Sequence, residues 1–249
     1  MVDDPIFYPI ALIAVLIIGV SKSGFGSGLG VLGVPLMSLV IPPIQAAGIL
    51  LPLLCVMDIF NVWHYRFTWD KTNLRILLPA GLFGILLGTF TFRYLSEAHM
   101  RILVGTIAIL FVANFFFGPK GKSQSGPDPL RGGFWGTVAG FASFGVHAGG
   151  PPVSIYLLPQ RLDKTLFVGT SVLFFTVVNY VKLIPYYFLG QLNIGNLTTS
   201  LLLGPLVPLG FWLGIKLHKR MDEQLFYNLA YTFLLIAGLK ILYDGITSL

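Results

Sequence analysis

Apolar stretches of roughly twenty residues, broken by short polar turns, recur along the chain. A helix needs about 20 apolar residues to cross the hydrocarbon core of a bilayer. That ruler picks out spans at 46–65, 75–95, 101–117, 166–188, 197–216 and 225–243. Residues 5–20 are apolar too. Asp3 and Asp4 precede them, no basic segment leads in and no small-x-small site follows, so they are expected to be a mature helix and not a signal peptide.

Two glycine-rich regions do not read as simple spans: SKSGFGSGLGVLGVP at 21–35 and SFGVHAGGPP at 143–152. Each follows an apolar segment and precedes a short apolar arm ending in proline, VPLMSLVIPP or PPVSIYLLP. Arms of about ten residues are too short to cross alone. A hairpin entering and leaving on one face fits, with the glycines at its tip. Two crossings, one of them short and broken, fit as well.

Composition narrows the class. Apolar residues make up 55% of the 249 and charged residues 10%, with a mean hydropathy of +0.82. Soluble domains carry about 25% charged residues, and disorder needs low hydrophobicity, so a polytopic membrane protein remains. The single cysteine, Cys55, excludes a disulfide framework and a cysteine-based zinc site. The 29 glycines and 16 prolines call for irregular backbone inside the bilayer.

The net charge of +6 reports orientation, not nucleic acid. With the N-terminus outside, the inner loops hold Arg66, Lys71, Arg75, Lys120, Lys122, Arg131, Arg161, Lys164, Lys216, Lys219 and Arg220. The outer segments hold only Arg93 and Arg101 against Glu97, with Asp3, Asp4 and Asp244. Eleven basic residues inside against two outside predict that both termini are periplasmic.

The polar stretch GPKGKSQSGPDPLRGG at 118–133 falls at mid-chain and reads as a flexible cytoplasmic linker. It divides similar halves. Pro79, Gly84, Gly88 and Glu97 recur 126 residues later as Pro205, Gly210, Gly214 and Glu223, and Arg93 meets Lys219. On an offset of 118, Asn61 meets Asn179 and His64 meets Lys182. Three clear spans per half is an odd number, so the second half is inverted. The expected fold is an all-α integral membrane protein of inverted-topology repeats, each a re-entrant or broken helical hairpin plus three transmembrane helices. Residues 1–117 form the N-terminal repeat, 118–132 the linker and 133–249 the C-terminal repeat. Secondary transporters are built this way, with substrate near the midplane at discontinuous helices.

Ionisable side chains inside a bilayer are expensive and functional by default. Lys22, Asp58, His64, His147 and Lys182 are the candidates, with Lys240 marginal. Lys22, beside the first glycine segment, supplies an ammonium at a hairpin tip near freed backbone N–H groups; the structural alternative is a lysine reaching the interface. Asn61 with His64, and Asn179 with Lys182, are spaced i and i+3, so each pair shares a helix face. Inversion would turn the pairs toward one another. Asp58, balanced between burial and a nearby cation, and His147, a near-neutral titrant at the second tip, are the candidate proton-coupling groups. The tip glycines Gly30, Gly33, Gly149 and Gly150 let backbone approach a ligand, or let helices pack. Ser27 and Ser143 offer hydroxyls. The aromatics of IPYYFLG and RFTW read as interfacial belts. No phosphate loop or metalloprotease spacing appears, so no cofactor or metal is expected.

The stretch ending in GVP at 33–35, the HAGGPP at 147–152 and the short basic turn between halves resemble the TauE/SafE sulfite and organosulfonate exporter family along essentially the whole chain. Here Gly30, Gly33 and Pro35 are interrupted by Val31, Leu32 and Val34, a departure from a tight glycine run. The resemblance implies a bacterial inner-membrane carrier, not an enzyme. Its partners would be protons and a small anion such as sulfite, sulfoacetate or a related sulfonate. Export is the implied direction, and a homodimer is compatible. A passive anion channel is the alternative that the same basic, glycine-lined path would serve.

Overall fold

A computed structural model describes residues 2, 4–24, 30–118, 126–218 and 223–249. Asp3, Ser27, Lys120, Lys122, Lys219 and Arg220 lie outside the described residues. All regular structure among the described residues is helical: α1 (Phe7–Gly24), α2 (Gly33–Met37), α3 (Pro43–His64), α4 (Lys71–Phe92), α5 (Glu97–Phe117), α6 (Pro129–Val146), α7 (Gly150–Leu157), α8 (Lys164–Phe188), α9 (Ile194–Leu203), α10 (Leu206–His218) and α11 (Glu223–Thr247). The starts follow local chemistry. Asp70, Ser96, Asp128, Asp163 and Asn193 accept from the first free N–H groups of α4, α5, α6, α8 and α9, and Pro43 opens α3 where no N–H is needed.

Helices α1, α3, α4, α5 and α8 are long and apolar enough to cross a membrane. The span expected at 197–216 is not one rod: α9 and α10 meet at a 45° bend, and only taken together are they long and apolar enough to cross. Pro205, which has no N–H, sits at that break. Its counterpart Pro79 is absorbed inside the continuous α4. The exterior is broadly apolar, with Phe117, Ile194, Phe188 and Tyr187 exposed, as lipid contact requires. Tyr186 of the expected belt is instead buried and donates to the Phe144 carbonyl.

The second glycine region doubles back. α7 packs on α6; near the end of α7 the Tyr156 hydroxyl accepts from the Asp128 N–H, at the start of α6, at 3.3 Å, and a Cβ on Gly132 would lie 2.7 Å from its ring. The Gln160 and Asn73 amides close the return with two mutual hydrogen bonds, 2.9 and 3.1 Å. In the first region α2 packs on α1. A Cβ on Gly33 would lie 2.3 Å from Ile18 Cδ1, so this glycine is a packing position in the return arm.

The main packing partners come in matched sets. α1 packs on α10 and α6 on α4; α3 packs on α8, and α5 on α11. Both unlike pairs close through glycine. A Cβ on Gly19 would fall 2.9 Å from Gly210 Cα, and one on Gly140 would fall 2.0 Å from the Gly81 carbonyl, with Gly84 opposite. No side chain fits there, and backbones in lipid gain their contact by such close approach. α3 and α8 run antiparallel: Tyr180 reaches the Cys55 carbonyl, Asn179 meets Asp58, and Thr170 meets Asp70.

Candidate functional site

The crossing of α3 and α8 carries a buried ion pair. Lys22, in the last turn of α1, places Nζ 2.6 Å from Asp58 Oδ1, with side chains 5% and 0% exposed. Asn179 donates to the other oxygen, Oδ2, at 2.8 Å. Both carboxylate oxygens are therefore engaged. Lys22 also lies 3.5 Å from the Leu54 carbonyl. A charge at this depth persists only when paired and hydrogen-bonded, and Asp58 receives both.

One helical turn beyond Asn179, Lys182 meets the tip of the second hairpin. α6 ends at His147, whose backbone is left-handed at φ +53° and whose neighbour Ala148 donates back to the Ala142 carbonyl. This is the closing pattern that glycine usually provides. A histidine here is costlier than glycine, and two contacts hold it: Nε2 faces the Ala47 carbonyl of α3 at 3.0 Å, and Nδ1 lies 2.8 Å from Lys182 Nζ. Lys182 Nζ also donates to the Ser143 carbonyl at 2.9 Å and lies 3.0 Å from Ser143 Oγ. An ammonium thus caps the negative end of α6, fully buried.

Between the two clusters lies a small cavity bordered by Lys22, Gly30, Ser143, His147, Gly150 and Asn179, with Ile18, Leu54 and Phe175 as apolar wall. About 20 Å³ is open to the centre of a water-sized sphere, room for about one water molecule. The two chain breaks face one another across it: a Cβ on Gly30 would lie 3.6 Å from the His147 carbonyl. Gly150 opens α7 and is followed by two prolines, which carry no N–H.

The charges around this cavity do not cancel. Among the described residues the buried charged side chains are Lys22, Lys182 and Asp58, two cations against one carboxylate. Among the described residues, Lys182 hydrogen-bonds to a carbonyl, a hydroxyl and an imidazole. The site is cationic by one unit when Lys182 is protonated, which suits an anion. No group of three His, Cys, Asp or Glu among the described residues could hold a metal ion.

Lys22, Asp58, Asn179, Lys182, His147, Gly30 and Gly150 are thus brought together, and Ser143 joins them as a ligand of Lys182. Other expected positions stand elsewhere. His64 is exposed and stacks edge-on against Tyr65 and Phe211. Asn61 is buried but donates to Met57 of its own helix; its side chain does not meet Asn179. Gly149 is a packing position, since a Cβ there would meet the Ala139 carbonyl at 2.7 Å. Lys240 is exposed and paired with Asp244 at 2.8 Å. The offset of 118 is the reason for the mismatch. α3 and α8 begin 121 positions apart, at Pro43 and Lys164, and Gly19 and Gly140 share that spacing. On it Asp58, not Asn61, corresponds to Asn179. The Ala47 carbonyl and Tyr186 were not legible as site components, because a backbone acceptor and a buried phenol leave no mark in composition.

A polytopic helical protein with two facing chain breaks around a buried cationic pocket has the build of a membrane transporter for anions. The chain belongs to the sulfite exporter TauE/SafE family, which it matches over residues 11–241. That family is one of membrane transporters for sulfite and related anions. No curated protein and no solved structure matches the chain.

Proposed function

We propose that this protein is a secondary carrier that moves a small sulfur-containing oxyanion, sulfite or a related sulfonate, across the bacterial inner membrane, coupled to the proton gradient. The observation that carries the reading is Lys182, a buried lysine whose partners among the described residues include no carboxylate, at the facing chain breaks. An ammonium enclosed by neutral acceptors gains most from an anion entering beside it.

The halves 1–117 and 133–249, joined by 118–132, act in this reading as inverted repeats that rock about the shared pocket. The antiparallel crossing of α3 with α8 and the matched pairings of α1 with α10 and α6 with α4 support it. Both termini face the periplasm, in keeping with the basic residues of the intervening loops.

The test is sulfite flux in proteoliposomes under an imposed pH gradient. A carrier accumulates sulfite above equilibrium and stops accumulating when the gradient is collapsed. Flux that only dissipates a sulfite gradient, indifferent to pH, would mark a passive channel and overturn the reading.

A further inference from the structure

We propose that the proton travelling with the anion is held by Lys182, with Ser143 as its switch, and not by Asp58 or His147. The proposal rests on the carrier reading above and names the coupling group within it.

Each alternative is occupied in a way that a proton would disrupt. Asp58 has Lys22 on one oxygen at 2.6 Å and the Asn179 amide on the other at 2.8 Å. A proton on either oxygen would confront a donor. His147 Nε2 faces a carbonyl, which only accepts, so Nε2 carries the ring hydrogen and Nδ1 presents a lone pair to Lys182. A second ring proton would point at the lysine's own donors. The remaining titratable groups around Lys182 are Cys55 and Asp58 from α3, Lys22 from α1 and Tyr186 one turn along α8, the last of which spends its proton on the Phe144 carbonyl.

Lys182 alone has an environment that satisfies both of its forms. As an ammonium it donates three hydrogens, to the Ser143 carbonyl, to His147 Nδ1 and to Ser143 Oγ. As an amine it donates two, to the carbonyl and the imidazole, and its lone pair accepts the Ser143 hydroxyl hydrogen. Only the rotation of that hydroxyl separates the two arrangements. The consequence reaches the cavity, because Ser143 borders it. With the amine, the serine hydrogen is spent on Lys182. With the ammonium it is released and can turn toward a bound anion. A proton from water adds to the amine nitrogen, an anion enters beside the charge, and both leave together. An empty site returns the proton, because an ammonium without a counter-charge is costly to hold among apolar helices.

The experiment counts protons taken up on anion binding, with purified protein in weakly buffered detergent and a pH-sensitive dye. The probes are methanesulfonate, which exchanges no proton near neutrality, and sulfite, corrected by a protein-free control. The parent is expected to take up about one proton per bound anion. The Lys22→Met/Asp58→Asn variant keeps that count whatever its affinity, since it removes the carboxylate and its partner together. Lys182→Gln loses the count; if it binds no anion, the double variant decides alone. Loss of proton uptake in the double variant, or its persistence in Lys182→Gln, overturns the proposal while leaving the carrier reading intact. Anion binding by the parent without proton uptake overturns the coupling itself. Failure of both probes to bind overturns the anion-carrier reading and this proposal with it.

Discussion

Asp58 and Asn179 each stand fifteen positions after the first residue of their helix, and they meet where α3 crosses α8, joined by a 2.8 Å hydrogen bond. On the inverted-repeat reading proposed above, partners at equal distances along two antiparallel helices lie on the line about which the halves exchange. On the same spacing Lys22 corresponds to Ser143 and Asn61 to Lys182. The halves therefore carry different chemistry in matching places. One holds a closed ion pair, Lys22 with Asp58; the other holds an open cation, Lys182 with Ser143. The charge asymmetry of the pocket follows from that substitution.

The ion pair is expected to matter through its balance more than through its attraction. Lys22→Met alone strands a fully buried carboxylate, at a cost of roughly 3–5 kcal/mol. Lys22→Met/Asp58→Asn leaves no unpaired charge and is expected to recover most of that loss. Thermal unfolding in detergent of the parent, both single variants and the double variant forms the cycle. A double variant no more stable than the worse single one would mean that the pair contributes by shape or hydrogen bonding instead.

Helix packing gives a sharper contrast between two glycines of α6. Gly133 has open space where a Cβ would go, whereas at Gly140 the Cβ would sit 2.0 Å from the Gly81 carbonyl. Gly133→Ala is expected to be neutral or to stabilise by up to about 1 kcal/mol through helix propensity. Gly140→Ala forces α4 and α6 apart, at a cost of about 1–3 kcal/mol or more. Size-exclusion profiles and melting temperatures of the two alanine variants measure the difference.

The long spans were legible because twenty apolar residues between polar turns leave few other readings, and α3, α4, α5, α8 and α11 fall where the apolar runs do. The hairpin tips were legible as glycine breaks, though direction of return was not. It took the contact of Tyr156 with residues at the start of α6 to establish the doubling back at the second tip. The candidate site residues are legible by cost: Lys22, Asp58, Lys182 and His147 stand out as charges or titrants in apolar runs. Their partners are not. Spacing along one helix cannot give the stagger between two: on the 121-residue spacing Asn179 corresponds to Asp58 and not to Asn61, and His64 is exposed.

Orientation is accessible through the single native cysteine. Cys55 is buried, and Cys55→Ala provides a background for introduced thiols at exposed positions. Gly126→Cys, in the segment between halves, is expected to react with a membrane-impermeant maleimide only after cells are permeabilised. Ser248→Cys near the C-terminus is expected to react in intact cells. The reverse pattern would place the basic loops outside and contradict the sidedness inferred from them.

Pocket size makes the last prediction. The cavity in this conformation accepts about one water, so a bound sulfonate with an organic tail needs more room than sulfite does. Gly30 is the position at which this can be adjusted without disturbing the helices, because a Cβ there would lie at an ordinary 3.6 Å from the His147 carbonyl, with no closer neighbour among the described residues. Gly30→Ala is therefore expected to fold as the parent does while taking volume from the pocket. Sulfite should lose little affinity, and isethionate about tenfold, or roughly 1.4 kcal/mol. Ligand-dependent shifts in melting temperature, measured for both anions on both proteins, give the comparison. Equal losses for the two anions would mean that Gly30 acts on access or on the mobility of the tip, and that the organic tail lies away from this wall.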